Sequence, residues 1–291
     1  MSVKNIFKFF WLMSVIVFPC AANSANFESG LLWRIEHPSG QTSVLFGTMH
    51  FVDDEVINVF ELVKEYLAGA SSINVEYVPK PEDVPVIEKV ILKTDIHIKD
   101  RLGENDYIKF LSFIKNNNIP LDKVEYASPS YLHTLIIDPK SMTELPMDAR
   151  IMAYAAEHNI ELNSLENINE CLKIITSQDN TYYLSEIKSI INDTHKILSY
   201  QKQSKSLYLE ENLTGINNFI KTQTSNRDLA KTFFDQAITH RNQTMIKTLS
   251  NVIEKGNAFI AVGAGHLGGE EGLLNLLMQS GYKVSRIYFM T

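Results

Sequence analysis

The sequence predicts an α/β fold, a mixed central sheet with helical insertions. Three observations carry this. Strand and helix patterns alternate at both ends of the chain. A long helical block without a strand pattern separates those ends, over residues 168–250. Two strands far apart in sequence end in the same Gly-x-x-His turn, Gly47-Thr48-Met49-His50 and Gly263-Ala264-Gly265-His266. The last elements must therefore rejoin the sheet begun by the first, as one domain over residues 26–291 with a helical insertion around 168–250.

The first residues stand outside that fold. Lys4 and Lys8 precede an apolar run over 9–17 that is short for a bilayer span, and small residues follow from Cys20 to Ala25. This is the pattern of a secretory signal peptide over residues 1–25, with cleavage fitting after Ala22 or after Ala25. Pro19 before Cys20 matches a lipobox poorly, so lipid attachment is not expected. No later run reads as a membrane helix, and the mature chain is expected to be secreted or periplasmic, without a membrane span. Cys171 is then the one cysteine left, which excludes an internal disulfide and makes it a small buried apolar residue rather than a nucleophile. The net charge of -7, with no basic stripe, argues against a nucleic-acid partner.

Residues 31–35 and 42–46 are β-prone runs joined by the turn Pro38-Ser39-Gly40, an opening hairpin. Over 53–68, Val56, Val59, Phe60, Val63 and Leu67 recur at helical spacing. Residues 71–77 form the next strand, stopped by Pro79 and Pro81. Helices are expected over 83–92, 104–116 and 129–137, with a break at Leu102-Gly103. Asp148 is a candidate N-cap for a helix over 149–158, before a strand over 160–165 that ends at Glu166. A core strand over 257–262, a helix over 273–278, a C′ glycine at Gly281 and a strand over 282–289 finish the chain.

His50 and His266 each sit just past an apolar strand and before a helix. Sites in α/β sheets form at the carboxyl ends of strands, so neighbouring strands would bring both imidazoles to one crevice. Gly47, Gly263 and Gly265 allow the sharp turns that present them. Two histidines and a carboxylate are a common metal set in hydrolases, and Glu76, near another strand end, is the best third member. Arg241 beside a metal could bind an oxyanion. Glu166 ends a strand and can face the same crevice. Glu270 and Glu271 are assigned to the dipole of the last helix. His37, His97, His133, His158, His195 and His240 lack the context of the other two and are treated as structural or surface residues. There is no Gly-x-Ser-x-Gly elbow and no second βαβ half, which argues against a serine hydrolase and a dinucleotide enzyme.

LFGTMH at 45–50, the strand-borne Glu76, LPMDARIMAYAAEHNIELNSLE at 145–166, HRNQTM at 240–245 and AVGAGHLGGEEGLLNLLMQSGYKV at 261–284 resemble the TraB/GumN family, which includes the TIKI metalloproteases and the pheromone-shutdown protein PrgY. The resemblance runs in order through nearly the whole mature chain. It implies a fold similar to the erythromycin-esterase and ChaN group, and the divalent-metal-dependent proteolysis linked in TIKI proteins to two Gly-x-x-His motifs and a glutamate. Those map to Gly47, His50, Glu76, Gly263 and His266. The family's arginine–asparagine pair maps to Arg241 and Asn242, its aspartate to Asp148, and its Leu-Glu strand end to Glu166. Met147 stands where the family has a glycine.

The expected chemistry is hydrolysis, of peptide bonds, at a divalent ion such as Mn²⁺, Co²⁺ or Zn²⁺ held by His50, His266 and Glu76. Glu76 either completes the ligand set or acts as general base, Arg241 meets the oxyanion, and Asp148 or Glu166 orients a histidine from behind. The alternatives are a non-catalytic module that holds a peptide or haem in the same crevice, and an exported structural protein whose histidines are rim residues.

Overall fold

The computed structural model describes residues 27–289 apart from 178, 223 and 225, so the signal-peptide reading falls outside the described residues. Six strands form one sheet: β1 (Leu32–Glu36), β2 (Thr42–Thr48), β3 (Ser72–Val75), β4 (Glu161–Ser164), β5 (Ala258–Gly263) and β6 (Lys283–Ile287). Their spatial order is β4-β3-β5-β2-β1-β6. Four neighbours, β4, β3, β5 and β2, run parallel, and β1 lies antiparallel between β2 and β6. The sheet is mixed, as expected, and the two strands that end in Gly-x-x-His are direct neighbours, with Thr48 opposite Gly263.

The burial of each strand explains its sequence. β5 lies between two parallel partners and is buried from Ala258 to Val262, which requires an unbroken apolar run rather than an alternating one. The edge strands β4 and β6 are only partly buried and carry polar residues. Helix α1 (Asp54–Ala68) buries the five residues whose spacing predicts it, and Asp53 caps it by accepting from the amides of Glu55 and Val56.

The remaining helices come in two blocks. Between β3 and β4 lie α2 (Val84–Ile87), α3 (Ile98–Leu102), α4 (Glu104–Asn116), α5 (Pro129–Ile137) and α6 (Met147–Glu157). Between β4 and β5 lie α7 (Ile168–Ser177), α8 (Asp179–Asn192), α9 (His195–Leu209), α10 (Leu213–Thr222), α11 (Arg227–Phe234) and α12 (Arg241–Lys255), and α13 (Leu273–Gln279) precedes β6. One apolar core joins the sheet to α1, α6, α12 and α13, while Ile98, Phe110, Leu132, Ile136 and Ile187 belong to a second core in the helical lobe.

Three expectations are corrected. Asp148 is not an N-cap: Pro146 holds that position, and Asp148 lies in the first turn of α6 with its carboxylate turned to β2. Glu270 and Glu271 precede α13, whose N-cap is Gly272, so they do not occupy its first turn. Cys171 is half-buried rather than buried, and burial pushes its thiol up to about 12, the opposite of an activated nucleophile. The helix expected over 83–92 is present as one helical run of changing pitch, a 3₁₀ turn over Pro81–Asp83, then α2, then a π turn over Glu88–Leu92.

Gly47 is required by packing. A Cβ there would stand 2.7 Å from Leu267 Cδ1 and 3.2 Å from Ala264 Cα and Cβ, so β2 and the turn after β5 can approach only without it. Tyr208 Oη locks the same peptide by donating to the Gly47 carbonyl at 2.9 Å. Gly47→Ala is expected to lower stability by about 1–3 kcal/mol through overpacking. Urea denaturation checks this, and an unchanged midpoint would show that the turn after β5 can move away.

Candidate functional site

The parallel arrangement puts four strand ends on one edge of the sheet. Glu166 follows β4, Glu76 follows β3, His266 follows β5 and His50 follows β2. This is the carboxyl-end crevice in which open α/β sheets place their chemistry. A Cβ on Gly263 would lie 3.3 Å from Glu76 Oε1, 3.6 Å from His266 Cδ2 and 3.8 Å from His50 Nε2. The three groups therefore surround one small volume that Gly263 leaves open. The Gly263 amide also donates to Glu76 Oε1 at 2.6 Å, which fixes the carboxylate against the strand.

Arg241 ties the two glutamates together. Its Nη2 donates to Glu76 Oε2 at 2.5 Å and also to Glu166, and its Nε reaches Glu166 Oε2 at 2.9 Å. The Glu166 side chain has no solvent exposure, so this guanidinium is what compensates its charge. Arg241 opens α12 directly after a π-helical turn, Asp235–His240, a local widening common at functional sites. Burial alone would raise the Glu76 pKa, but Arg241 above all, with His266 and His50 beside it, holds it well below the usual carboxylate range.

Each histidine is held from behind. His266 Nδ1 lies 2.7 Å from Asn242 Oδ1, while the Asn242 amide donates to the carbonyls of His266 and Glu271. That leaves His266 Nε2 facing the crevice, 3.7 Å from Glu76 Oε1 and 3.3 Å from Arg241 Nη1. Burial, assisted by the positive charge of Arg241, pushes His266 down to about 4, so its imidazole is neutral at pH 7. His50 Nδ1 lies 2.7 Å from Asp148 Oδ2, and Thr48 Oγ1 donates to the other Asp148 oxygen at 2.7 Å. The Asp148 carboxylate raises His50 to about 9, although water screens part of this attraction because the His50 side chain is 68% exposed.

The structure thus gathers His50, Glu76, Asp148, Glu166, Arg241, Asn242 and His266 in one place, with Gly47 and Gly263 in the turns. Gly265 serves packing, since a Cβ there would meet Ile220 Cδ1 at 2.9 Å. Thr48 was not singled out from the sequence, although it lies inside the first Gly-x-x-His turn. His133, expected from the sequence to be a structural or surface residue, lines the cavity that opens from this crevice. Its setting in a plain apolar helix carries no sequence signal.

The TraB/PrgY/gumN family model matches residues 31–286, nearly the whole described chain. The chain belongs to the TraB/PrgY/gumN family. No individual curated protein matches it.

Whether this family member's crevice suits a divalent ion is decided by its donors. Two imidazoles with Nδ1 engaged from outside present Nε2 toward a carboxylate oxygen, as metal-binding histidines do. His266 is neutral and Glu76 ionised, the protonation states that ligands need, whereas His50, raised to about 9 by Asp148, must lose a proton before its Nε2 can bind an ion. In donor type and orientation the residues fit. Their spacing is wider than a closed ligand set: among the described residues no three His, Cys, Asp or Glu side chains meet at metal-ligand spacing.

Proposed function

We propose that this TraB/PrgY/gumN-family chain is an exported metal-dependent hydrolase, and that its substrate is a peptide bond. The carrying observation is the arrangement of His50, His266 and Glu76 around the space over Gly263, with both Nδ1 atoms engaged by Asp148 and Asn242. His50, His266 and Glu76 would hold Mn²⁺, Co²⁺ or Zn²⁺. Such an ion supplies a Lewis acid able to polarise a carbonyl and acidify water at neutral pH.

The chain's own residues do the rest. Arg241 keeps Glu76 ionised; a carboxylate of such low basicity is a poor general base at neutral pH, which favours the ligand role over the base role. Arg241 Nη1, directed toward the crevice beside His266, is the donor placed to meet developing negative charge on a carbonyl oxygen. Asp148 and Asn242 fix the orientations of the two rings. The six-stranded mixed sheet with its helical lobe supports kinship with the erythromycin-esterase and ChaN fold, as part of the same proposal. Among the described residues no helix is long and apolar enough to cross a membrane, which is compatible with an exported protein.

One observation favours the second reading, a peptide- or haem-binding module without turnover. The guanidinium already satisfies both glutamates, so the site is electrostatically closed without an ion. Elemental analysis and metal-dependent cleavage of a mixed peptide library, on the mature protein and on His50→Ala/His266→Ala, separate the two. Stoichiometric metal and cleavage that both vanish in the variant are the expected result. Metal without cleavage, or a Soret band on adding haem, would favour the binding module. Cleavage that survives in the variant would end the hydrolase assignment at these residues.

A further inference from the structure

The crevice does not end at the histidines. It continues into a cavity of about 410 Å³ between the sheet edge and the helical lobe. That volume lies in the range of small-ligand pockets and exceeds what a single water or ion needs. Aromatic rings form its walls in two connected runs. His133 lies 5.2 Å from the Tyr183 ring, and Tyr183 stands edge-on to Phe233 at 5.7 Å. Phe51 contacts Tyr200 at 5.9 Å, and Tyr200 contacts Phe219 at 5.0 Å. All six residues line the cavity, together with His50, Glu76, Arg241 and His266.

His133 is the exception in this wall. It is 8% exposed and lines the cavity, and no protein hydrogen bond to its ring is seen among the described residues, while neither ring nitrogen is among the side-chain atoms sealed off from solvent without a partner. An imidazole whose nitrogens stay accessible in an aromatic wall offers a ligand a polar contact that a leucine at the same helical position would not. Burial pushes the imidazole down to about 4, so at neutral pH it offers one N–H donor and one nitrogen acceptor. Asp138, whose side chain also lines the cavity, is already engaged by the Val52 amide at 2.9 Å.

We infer that this cavity is the specificity pocket for an aryl group bearing a hydroxyl tip, a tyrosyl side chain or its chemical equivalent, with His133 as the residue that recognises the hydroxyl. The aromatic walls take the ring by edge-to-face and offset contacts. A phenolic hydroxyl both donates and accepts, which matches what a neutral imidazole lacks in this wall. The inference rests on the reading of the crevice as the reacting end, which makes this pocket the place where the residue beside the reacting bond is chosen.

The test compares two probes that differ by one hydroxyl, N-acetyl-tyrosinamide and N-acetyl-phenylalaninamide, by ligand-observed NMR titration of the full mature chain at pH 7.5. The tyrosine probe is expected to bind about 3- to 10-fold more tightly, the worth of one hydrogen bond. His133→Phe removes that preference, and His133→Gln, which can again donate and accept, restores part of it. Phe233→Ala weakens both probes together. His50→Ala/His266→Ala leaves the preference in place, so loss of turnover and loss of recognition are read separately. Preference without any cleavage in the wild type would end the hydrolase reading and keep the pocket. Equal affinities in the wild type, failure of both probes to bind, or a preference that survives in His133→Phe would each overturn the inference. Circular dichroism of each variant verifies its fold, and the wild-type comparison decides the case even where a variant does not fold.

Discussion

Arg241→Met is expected to lower the free energy of unfolding by about 3–5 kcal/mol, the usual cost of leaving buried charge without its partner. The Arg241 and Glu76 side chains are each 15% exposed, and Glu166 is fully enclosed. Removing the guanidinium leaves two carboxylates facing each other from adjacent strand ends, where the Glu166 amide already bonds to the Glu76 carbonyl and holds the chains together. Methionine keeps much of the side-chain volume, so the loss reports charge rather than a cavity. Arg241→Met/Glu76→Gln/Glu166→Gln should recover most of that loss, because no charge then remains uncompensated. Urea denaturation of the single and triple variants at pH 7 checks both statements. A single variant that loses less than about 1 kcal/mol would show that water reaches Glu166 in solution.

Glu76→Gln is expected to reduce turnover by about 10²–10⁴-fold, in the range reported for removal of one catalytic group, and to weaken metal affinity in parallel. Glutamine keeps the shape of the side chain and an oxygen acceptor for the Gly263 amide, but it removes the charge that pairs with Arg241 and would hold the ion. The parallel loss is the informative part. Reduced turnover at full metal occupancy would assign Glu76 to the reaction rather than to the ligand set. Unchanged turnover and occupancy would show that the glutamate serves only to balance Arg241.

The site was legible in part because its members carry two kinds of signal. The repeated Gly-x-x-His turn marks His50 and His266 in a single sequence, since both must leave apolar strands at the same edge. Glu76 and Glu166 are visible as carboxylates at strand ends. Their union through Arg241 is not, because 165 residues separate Arg241 from Glu76 and nothing local in a helical HRN triplet states which way the guanidinium points. Asp148 shows the limit from the other side. Its position before a helix suggested a cap, and the competing long-range contact with Thr48 and His50 prevailed.

By itself, the sequence determined the alternation of strands and helices, the buried character of the central strand and the face of α1. Those follow from local periodicity and from the apolar run that a strand buried on both faces requires. Strand order was decided only in three dimensions. Placing β5 between β3 and β2 is what brings Glu76, His266 and His50 side by side, and no short-range pattern encodes which parallel neighbours a strand takes. The aromatic cavity and the place of His133 in its wall also belong to the tertiary structure, because the walls come from helices of two separate blocks, and packing between them decides which apolar residues face one another and which face open space.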